Sequence, residues 1–272
     1  MKLDFVKISP TENMTILVKT AIPTEQQLAV GAKLIEYSSV YAEQAGFIEE
    51  PINKNVAARL RMMAGEFCGN ATMSLGAYIA FKNGLEIGNE TDIPLEVSGA
   101  EGIRNCHIKA VDGGYIGTVS MPLPVSVKEC TLNINDKEYY VTEIAFEGIK
   151  HYILPKNSIG EGFKAKLEGS LENLKNAIED DVFGIVVFDE ENMRIDPLVV
   201  VKSAGSVYWE RGCGSGSEAT GIYLAYKNKE NIKCGLKQPG GIITVDVEYD
   251  NGIKKAAITG KVKIAAEGTA YI

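Results

Sequence analysis

Two cysteines of this chain head the two copies of a repeated segment. Residues 68–84 read CGNATMSLGAYIAFKNG and residues 213–229 read CGSGSEATGIYLAYKNK, with seven identities in seventeen aligned positions. Self-similarity of this kind indicates an internal duplication. We therefore expect Cys68 and Cys213 to be equivalent groups that face each other across a pseudo-two-fold axis. This arrangement suits the inversion of a stereocentre, because one base can remove a proton from one face while its twin returns a proton to the other.

Each cysteine stands where a helix is expected to begin. The first turn of a helix carries unpaired N–H groups and a partial positive charge, which favours a thiolate over a thiol. The same N–H groups can bind a carboxylate, and glycine lets the backbone approach it closely. We therefore predict that the backbone amides of Gly69, Asn70, Gly214 and Ser215 bind a substrate carboxylate.

The other candidate reactive residues are predicted to be structural. Free cysteine is often buried, and Cys106, Cys130 and Cys234 have no repeated partner. Five cysteines without a CxxC pair argue against a disulfide framework and against a zinc site, so no metal is expected. Neither His107 nor His151 has a serine nucleophile motif to act with.

Composition limits the class of protein and its partners. The chain has 272 residues, of which 45% are apolar and 24% charged, as is typical of a soluble globular protein. Its net charge of −8 disfavours nucleic acid and anionic lipid. No apolar run approaches membrane-spanning length and the N-terminus lacks a signal-peptide core, so we expect a cytoplasmic protein with a small-molecule ligand. A homodimer is compatible with the sequence.

No cofactor site is predicted. The turn at residues 212–216, GCGSG, is similar to a dinucleotide loop but lacks the alternating parallel strands and helices that such a loop requires. Without a cofactor, a carbanion next to a carboxylate must be stabilised by a dry pocket and by preorganised dipoles. Two buried helix N-termini would supply those dipoles.

The elements around the cysteines recur in the same order in both halves. Thr24 and Gln27 form a capping-box pattern ahead of a first helix, and Leu171, Leu174 and Ile178 lie on one face of a second. Other predicted elements are strands at 14–18 and 183–188, hairpin turns at Asp112-Gly113 and Asn251-Gly252, and a linker at residues 121–125.

The helix after each cysteine has no polar face and must be enclosed. We therefore predict an α+β fold of two pseudo-symmetric lobes, each a mostly antiparallel sheet wrapped round a central helix. The N-terminal lobe is expected at residues 1–120 and the C-terminal lobe at 121–260. The last strand, 261–272, is placed as a segment that could return to the first lobe. The cleft between the lobes would receive both helix N-termini.

The motifs resemble those of the diaminopimelate epimerase superfamily over essentially the whole chain. They are EFCGNA at 66–71, ERGCGSG at 210–216, Asn13, Gln44 before Gly46-Phe-Ile, and Gln238-Pro-Gly-Gly. The resemblance implies a two-lobed fold and a cofactor-independent racemase or epimerase (an isomerase) with two thiols as acid and base. It also implies that Asn13 and Gln44 contact the substrate and that Glu210 and Arg211 hold its α-ammonium.

The departures from that family concern the substrate's side chain. In diaminopimelate epimerases an Asn-Pro-His segment and two other asparagines help to hold the substrate. Here the corresponding residues read Ile149-Lys-His151, Met62-Met63 and Val182-Phe183. The stretches at 13–18, 65–74 and 238–241 are more similar to the histidine racemases of staphylopine-type metallophore pathways. That resemblance implies amino-acid racemisation with histidine as substrate.

A carboxylate near these motifs supports a basic or imidazole side chain. Glu43 lies beside Gln44 in the segment YAEQAGF, and a buried carboxylate would need a partner such as an imidazole N–H. Ornithine, lysine and diaminobutyrate are ranked behind histidine. The alternatives are an exposed loop position for Glu43, diaminopimelate epimerase as the activity, and a non-catalytic amino-acid-binding module on the same scaffold.

Overall fold

A computed structural model describes residues 1–203 and 205–272. The chain forms two compact units, which are called unit 1 and unit 2 below. Unit 1 consists of Met1–Met121 and Ala257–Ile272, and unit 2 consists of Pro122–Ala256. The fold is α+β and is dominated by strands, as the sequence predicts.

The elements follow one another along the chain with short connections. In residues 1–121 they are β1 (Lys2–Pro10), β2 (Thr15–Val18), α1 (Thr24–Ile35), β3 (Gln44–Glu49), β4 (Ala58–Met62), α2 (Gly69–Lys82), β5 (Glu90–Val97), β6 (Ile103–Val111) and β7 (Gly114–Ser120). In residues 122–256 they are β8 (Ser126–Ile134), β9 (Lys137–Phe146), β10 (Ile149–Pro155), α3 (Lys156–Ile159), α4 (Phe163–Gly169), α5 (Leu171–Ala177), β11 (Val182–Asp189), β12 (Arg194–Val201), β13 (Ser206–Trp209), α6 (Gly214–Asn228), β14 (Ile232–Gln238) and β15 (Gly241–Tyr249). The last strand, β16 (Ile253–Tyr271), begins in unit 2 and continues into unit 1.

The strands of unit 1 form a closed ring. Their order is β1-β2-β3-β4-β5-β6-β7-β16, and β16 also pairs with β1, from Lys2 opposite Tyr271 to Pro10 opposite Val262. The pairs β2–β3 and β4–β5 are parallel and the others are antiparallel. Closure leaves no unpaired edge in the ring, so its interior is sealed apart from the two open ends.

Helix α2 fills the interior of this ring. It contacts β1, β2, β4, β5, β6 and β7, and eleven of its fourteen residues are buried. The approach is close: a Cβ atom at Gly76 would lie 2.8 Å from the sulfur of Cys106. Helix α2 is apolar on every side and therefore needs packing partners on every side. The surrounding strands supply them, as predicted.

Unit 2 places α6 in an equivalent position. Its strand order is β15-β14-β12-β11-β10-β9-β8, with β13 pairing to β12. Helix α6 contacts β9, β10, β11, β14 and β15. The pairs β10–β11 and β12–β14 are parallel, and the other strand pairs of this unit are antiparallel among its described residues.

The outer face of each sheet carries a second core. In unit 1 the residues under α1 include Val30 and Leu34, which pack on Phe47. In unit 2 Leu167 and Leu174, from α4 and α5, lie in one cluster with the buried residues of β11 and β12. These helices cover part of the face opposite to the central helix, whereas strands such as β5 and β6 keep exposed residues on that face.

Several local predictions can be compared with these elements. The hairpin turns are confirmed, with Gly113 at φ 70° between β6 and β7 and Asn251 at φ 50° between β15 and β16. The capping box at Thr24 is wrong: Pro23 occupies the N-cap position and no side chain caps the helix. The amide of Gln27 instead donates to the carbonyl of Ile22 and to Glu49 Oε1.

Candidate active site

Cys68 caps the N-terminus of α2. Its backbone is extended, with φ −137° and ψ 110°, and its Sγ accepts a hydrogen bond from the N–H of Ala71 at 3.4 Å. The hydroxyl of Thr72 donates to the carbonyl of Cys68 at 2.8 Å. The sulfur thus takes the place of the Ser or Asp side chain that usually caps a helix.

Cys213 caps α6 with the same contacts. Its Sγ accepts from the N–H of Gly216 at 3.2 Å, and the hydroxyl of Ser217 donates to its carbonyl at 2.6 Å. These partners stand at the same offsets from the cysteine as Ala71 and Thr72 do in α2. The prediction that each cysteine heads a buried helix is confirmed.

A polar network surrounds Cys68. Its thiol donates to Gln44 Oε1 at 3.1 Å, and Gln44 Nε2 donates to Asn13 Oδ1 at 2.7 Å and to Thr15 Oγ1 at 2.8 Å. Asn70 Nδ2 donates to the same Asn13 oxygen at 3.0 Å. The structure therefore brings Asn13, Gln44 and Asn70, all predicted site residues, to one place beside the sulfur.

Glu43 joins this network through Asn13. The Nδ2 group of Asn13 donates to Glu43 Oε2, and Glu43 itself is half-buried in the bend just before β3. Asn13 is only 4% exposed and follows a turn in which Thr11 and Glu12 both have positive φ. Glu43 is therefore a loop residue, as the alternative has it, but its side chain is half-buried and not exposed.

Cys213 has a different set of polar neighbours. Its thiol is hydrogen-bonded to the carboxylate of Glu210, and its Sγ lies 3.6 Å from Ser215 Oγ. Its backbone N–H donates to Gln238 Oε1 at 2.7 Å, and Gln238 Nε2 donates to Ser217. Gln238 thus fixes the turn that carries the thiol, a role that its motif did not reveal.

The acidity of Cys213 differs from the expectation for a helix N-terminus. Burial raises the pKa of the Cys213 thiol well above its ordinary value, and the negative charge of Glu210 raises it further. The N–H of Gly216 lowers the pKa, but its effect is smaller than that of burial. Burial also raises the pKa of the Glu210 carboxyl. Burial thus disfavours the charged form of both groups.

His151 is a neighbour of this thiol that the sequence did not identify. Its Nε2 lies 2.9 Å from Ser215 Oγ, so one hydroxyl separates the imidazole from Cys213. The ring is fully buried, and burial lowers the pKa of His151 to about 4. A neutral imidazole can accept or donate a proton through Ser215. His151 lies on β10, far from both cysteine motifs in sequence, so spacing alone could not have found it.

The predicted carboxylate-binding residues are the first two of each central helix. Gly69 and Asn70 open α2, and Gly214 and Ser215 open α6. A Cβ at Gly69 would lie 2.7 Å from the sulfur of Met121, so packing within unit 1 also requires glycine there. Arg211 is exposed and donates from Nη2 to the carbonyl of Pro239 at 3.5 Å.

Comparison with known proteins places the chain in a family. Residues 2–271 match the family model described as the histidine racemase CntK N-terminal domain. A histidine racemase of Fusobacterium nucleatum subsp. nucleatum is 31% identical over an alignment of 278 positions, which covers 99% of this chain and 97% of the relative. A histidine racemase of Staphylococcus aureus is 30% identical and aligns over 99% of this chain and 98% of its own.

The chain belongs to the histidine racemase family. The family resemblance and the enzyme class predicted from the sequence, an isomerase of the racemase type, are confirmed. Similarity to solved structures supports the fold. A hydroxyproline epimerase from Agrobacterium vitis superposes with a TM-score of 0.73 at 12% identity, covering 98% of this chain and 92% of the other. A predicted epimerase from Pseudomonas aeruginosa gives a TM-score of 0.66 at 13% identity, with 98% of each chain covered.

The apolar residues that replace the family asparagines divide between two faces. Met62 pairs with Gly46 and faces α2, and Val182 lies on the same face of β11 as Val186, which approaches α6. Met63 packs against Gly31 of α1, and Phe183 lies in the core under α4 and α5. Of these four residues, only Met62 and Val182 therefore lie on a face that is directed toward a central helix.

The remaining cysteines of this member of the histidine racemase family lie on β6, β8 and β14, and their structural role stays a prediction. All five cysteines are free thiols, and Cys106 is fully buried, which raises the pKa of its thiol. Cys130 and Cys234 are half-buried. Across residues 1–203 and 205–272, no group of three or more His, Cys, Asp or Glu side chains could hold a metal ion, and no helix has the length and hydropathy to cross a membrane.

The buried carboxyl group of Glu218 in α6 is expected to destabilise the folded protein. It is 2% exposed, its Oε1 has no hydrogen-bond partner within the described chain, and burial raises its pKa well above the ordinary value. The equivalent position of α2 is Met73. Glu218→Met should raise the free energy of unfolding at neutral pH by about 1–3 kcal/mol, measured by urea denaturation, because an unsatisfied polar group is removed from the core.

The pH dependence gives a second readout of the same substitution. Above the ordinary carboxyl pKa the folded protein keeps a proton on Glu218 that the unfolded chain has released. Its stability therefore falls as the pH rises toward the raised pKa. Glu218→Gln, the control with unchanged shape, should also lack this fall but gain less stability than the methionine variant. A methionine variant less stable than the parent at neutral pH would contradict this account.

Proposed function

We propose that this protein racemises histidine without a cofactor and that Cys68 and Cys213 are its acid/base pair. The observation that carries the proposal is the repeated thiol geometry: each cysteine caps a buried helix and contacts a polar partner, Gln44 or Glu210. The substrate is proposed from the relatives, which are histidine racemases. Units 1 and 2 serve as the two pseudo-symmetric lobes of the enzyme.

The proposed reaction is a two-base exchange at the α-carbon. One cysteine enters as a thiolate and removes the α-proton, so that an S–H bond forms as the C–H bond breaks and the electron pair remains on the substrate. The other cysteine, a thiol, delivers its proton to the opposite face and becomes a thiolate. The sulfurs have then exchanged roles, and the reverse reaction uses the same pair.

The carbanion is stabilised through the substrate carboxylate. The backbone amides of Gly69, Asn70, Gly214 and Ser215 lie in the first turns of α2 and α6, where N–H groups point out of the helix. In the proposal they bind this carboxylate and stabilise the charge that develops on it during proton removal.

Glu210 provides a route to the thiolate of Cys213. Burial keeps the proton on the Cys213 sulfur in the substrate-free protein, but the Glu210 carboxyl that accepts its hydrogen bond also has a raised pKa. Transfer of the thiol proton to Glu210 therefore exchanges one neutral acid for another. By resemblance, Glu210 and Arg211 also hold the α-ammonium.

Glu43 is the proposed partner of the substrate's imidazole. Its Oε2 is fixed by Asn13, which is itself held by Gln44 and Asn70. A half-buried carboxylate in a fixed position can accept an N–H from a ring nitrogen, and such charge-assisted bonds are stronger than neutral ones. An aliphatic side chain would leave this carboxylate without that bond.

A panel of L-amino acids tests the substrate assignment. The purified protein is incubated with each amino acid, and the enantiomers are separated by chiral chromatography. We expect D-histidine to form much faster than the D-forms of ornithine, lysine, diaminobutyrate or alanine. Equal turnover of neutral aliphatic amino acids would contradict the assignment, and turnover confined to diaminopimelate would replace histidine by that substrate.

Glu43→Gln should weaken histidine turnover by about ten- to a hundredfold, because a hydrogen bond to a charged group is replaced by a neutral one. The measurement is kcat/KM for L-histidine and for the slow substrate L-alanine, whose side chain makes no such bond. We expect the alanine value to change little. An equal loss for both amino acids would show that Glu43 supports the site without recognising the side chain.

A further inference from the structure

Four side chains of unit 1 form a hydrogen-bond chain in which every donor points the same way. The Cys68 thiol donates to Gln44 Oε1 at 3.1 Å, and Gln44 Nε2 donates to Asn13 Oδ1 at 2.7 Å. Asn13 Nδ2 then donates to Glu43 Oε2. The chain therefore runs from a thiol, through two amides, to a carboxylate.

The amide of Gln44 is fixed in one orientation. Its Nε2 group donates to Thr15 Oγ1 at 2.8 Å as well as to Asn13. The Oδ1 atom of Asn13 accepts from Asn70 Nδ2 as well, at 3.0 Å, and both Asn13 and Thr15 are buried. If the Gln44 amide were flipped, its oxygen would face the oxygen of Asn13. If the Asn13 amide were flipped, its N–H group would face that of Gln44 and its oxygen would face Glu43. Gln44 therefore presents its oxygen, and not its N–H group, to the sulfur.

We propose that Gln44 is a positioning residue that keeps the proton on Cys68, and that Glu43 sets through Asn13 how firmly that proton is held. An oxygen acceptor stabilises S–H and repels S⁻. Hydrogen bonds in a chain polarise one another, so a negative charge at the far end makes Gln44 Oε1 a better acceptor.

Both thiols rest protonated in the substrate-free protein, but the groups that accept their hydrogen bonds differ. The amide of Gln44 cannot take a proton from Cys68, whereas the carboxylate of Glu210 can take one from Cys213. Gln44 therefore holds Cys68 as a thiol, whereas Glu210 gives Cys213 a route to the thiolate. A substrate N–H that donates to Glu43 partly neutralises the negative charge at the end of the hydrogen-bond chain. Gln44 Oε1 then becomes a weaker acceptor, and Cys68 releases its proton more readily. This inference rests on the proposed function for the catalytic role of Cys68.

Alkylation of Cys68 tests the chain without any substrate. The protein is treated with iodoacetamide at neutral pH, and the labelling rate of each cysteine is followed by peptide mass spectrometry. Cys68 is half-buried and hence within reach, and the half-buried Cys130 and Cys234 of unit 2 serve as internal references. Only the thiolate reacts appreciably, so the rate reports how firmly the proton is held.

Gln44→Met should raise the labelling rate of Cys68 about two- to tenfold, the ratio that corresponds to one hydrogen bond of ordinary net strength. Gln44→Glu should lower it, because a carboxylate beside the sulfur disfavours the thiolate. Asn13→Leu, which retains the Glu43 charge, and Glu43→Gln should each give a smaller rise than Gln44→Met. Glu36→Gln, which removes a carboxylate at the end of α1, should leave the rate unchanged.

The labelling rate of Cys68 is expected to rise in Gln44→Met and to fall in Gln44→Glu, and this difference distinguishes the inference from a loss of folding. Local unfolding around Gln44 would speed the labelling of Cys68 in both Gln44 variants, and global unfolding would also speed the labelling of Cys130 and Cys234 in unit 2. Equal labelling of Cys68 in the parent, Gln44→Met and Gln44→Glu would overturn the inference, as would an increase in all of the variants. Either result alongside intact racemisation of histidine would leave the proposed function standing, whereas absence of racemisation by the parent would overturn that function alone.

Discussion

Replacing Cys68 or Cys213 by serine should lower histidine racemisation by at least about a hundredfold, the scale of a general acid or base. A hydroxyl is a far weaker base than a thiolate at neutral pH, so either variant lacks one of the two proton carriers. Serine is a good N-cap residue and can accept the N–H bonds that now reach the sulfurs from Ala71 and Gly216. The substitutions should therefore remove the chemistry while α2 and α6 remain capped.

The matched controls are Cys130→Ser and Cys234→Ser. These thiols are half-buried and cap no helix, so their loss should leave the rate close to that of the parent. The initial rate of D-histidine formation, followed by chiral chromatography, is the measurement for all four variants. A Cys213→Ser protein that racemises at nearly the parental rate would remove Cys213 from the acid/base pair.

Glu210→Gln should also cost about a hundredfold or more in kcat. The side chain keeps its size and can still accept a hydrogen bond from Cys213, but an amide cannot take the thiol proton. Since burial raises the pKa of Cys213 well above its ordinary value, a thiolate without a proton acceptor becomes rare at neutral pH. Glu190→Gln is the control, because it removes an exposed carboxylate that is paired with Lys227 at the surface.

The two roles proposed for Glu210 predict different kinetics. Loss of the proton acceptor lowers kcat, whereas loss of a partner for the α-ammonium raises KM. We expect the effect on kcat to dominate. An unchanged kcat with a raised KM would show that Glu210 binds the ammonium group and does not act on Cys213.

The duplication made the two helix-capping thiols predictable. Cys68 and Cys213 stand out because the same turn and the same helix occur twice, and their helices are apolar on every side. That pattern requires a surrounding sheet, and the closed ring of unit 1 provides one. The hairpin turns at Gly113 and Asn251 could be predicted because positive φ restricts which residues occupy them.

The surroundings of each thiol could not be predicted in the same way. His151 contacts Ser215, next to Cys213, only because β10 lies against α6. Gln44 contacts Cys68 only because α2 lies inside the ring that contains β3. Such contacts depend on strand order, which no local pattern encodes. The acidity of Cys213 was misjudged for a related reason, since the field of a helix N-terminus is a local property and burial is a tertiary one.

The side-chain pocket shows the limit of alignment with a family motif. Met62 and Met63 are neighbours in sequence, but alternation along β4 sends one toward α2 and the other toward α1. Val182 and Phe183 divide in the same way. A substitution in a motif therefore changes a pocket only when its position faces the pocket.

The most direct test of two-base racemisation is the position of deuterium after brief reaction in deuterium oxide. L-Histidine and D-histidine are supplied separately, and the α-deuterium content of recovered substrate and of product is measured over the first turnovers. The account predicts that the product carries deuterium while the recovered substrate retains protium, in both directions, because different thiols remove and deliver the proton. Equal deuteration of substrate and product from the outset would indicate a single base, and the absence of α-deuterium in either would contradict the proposed reaction.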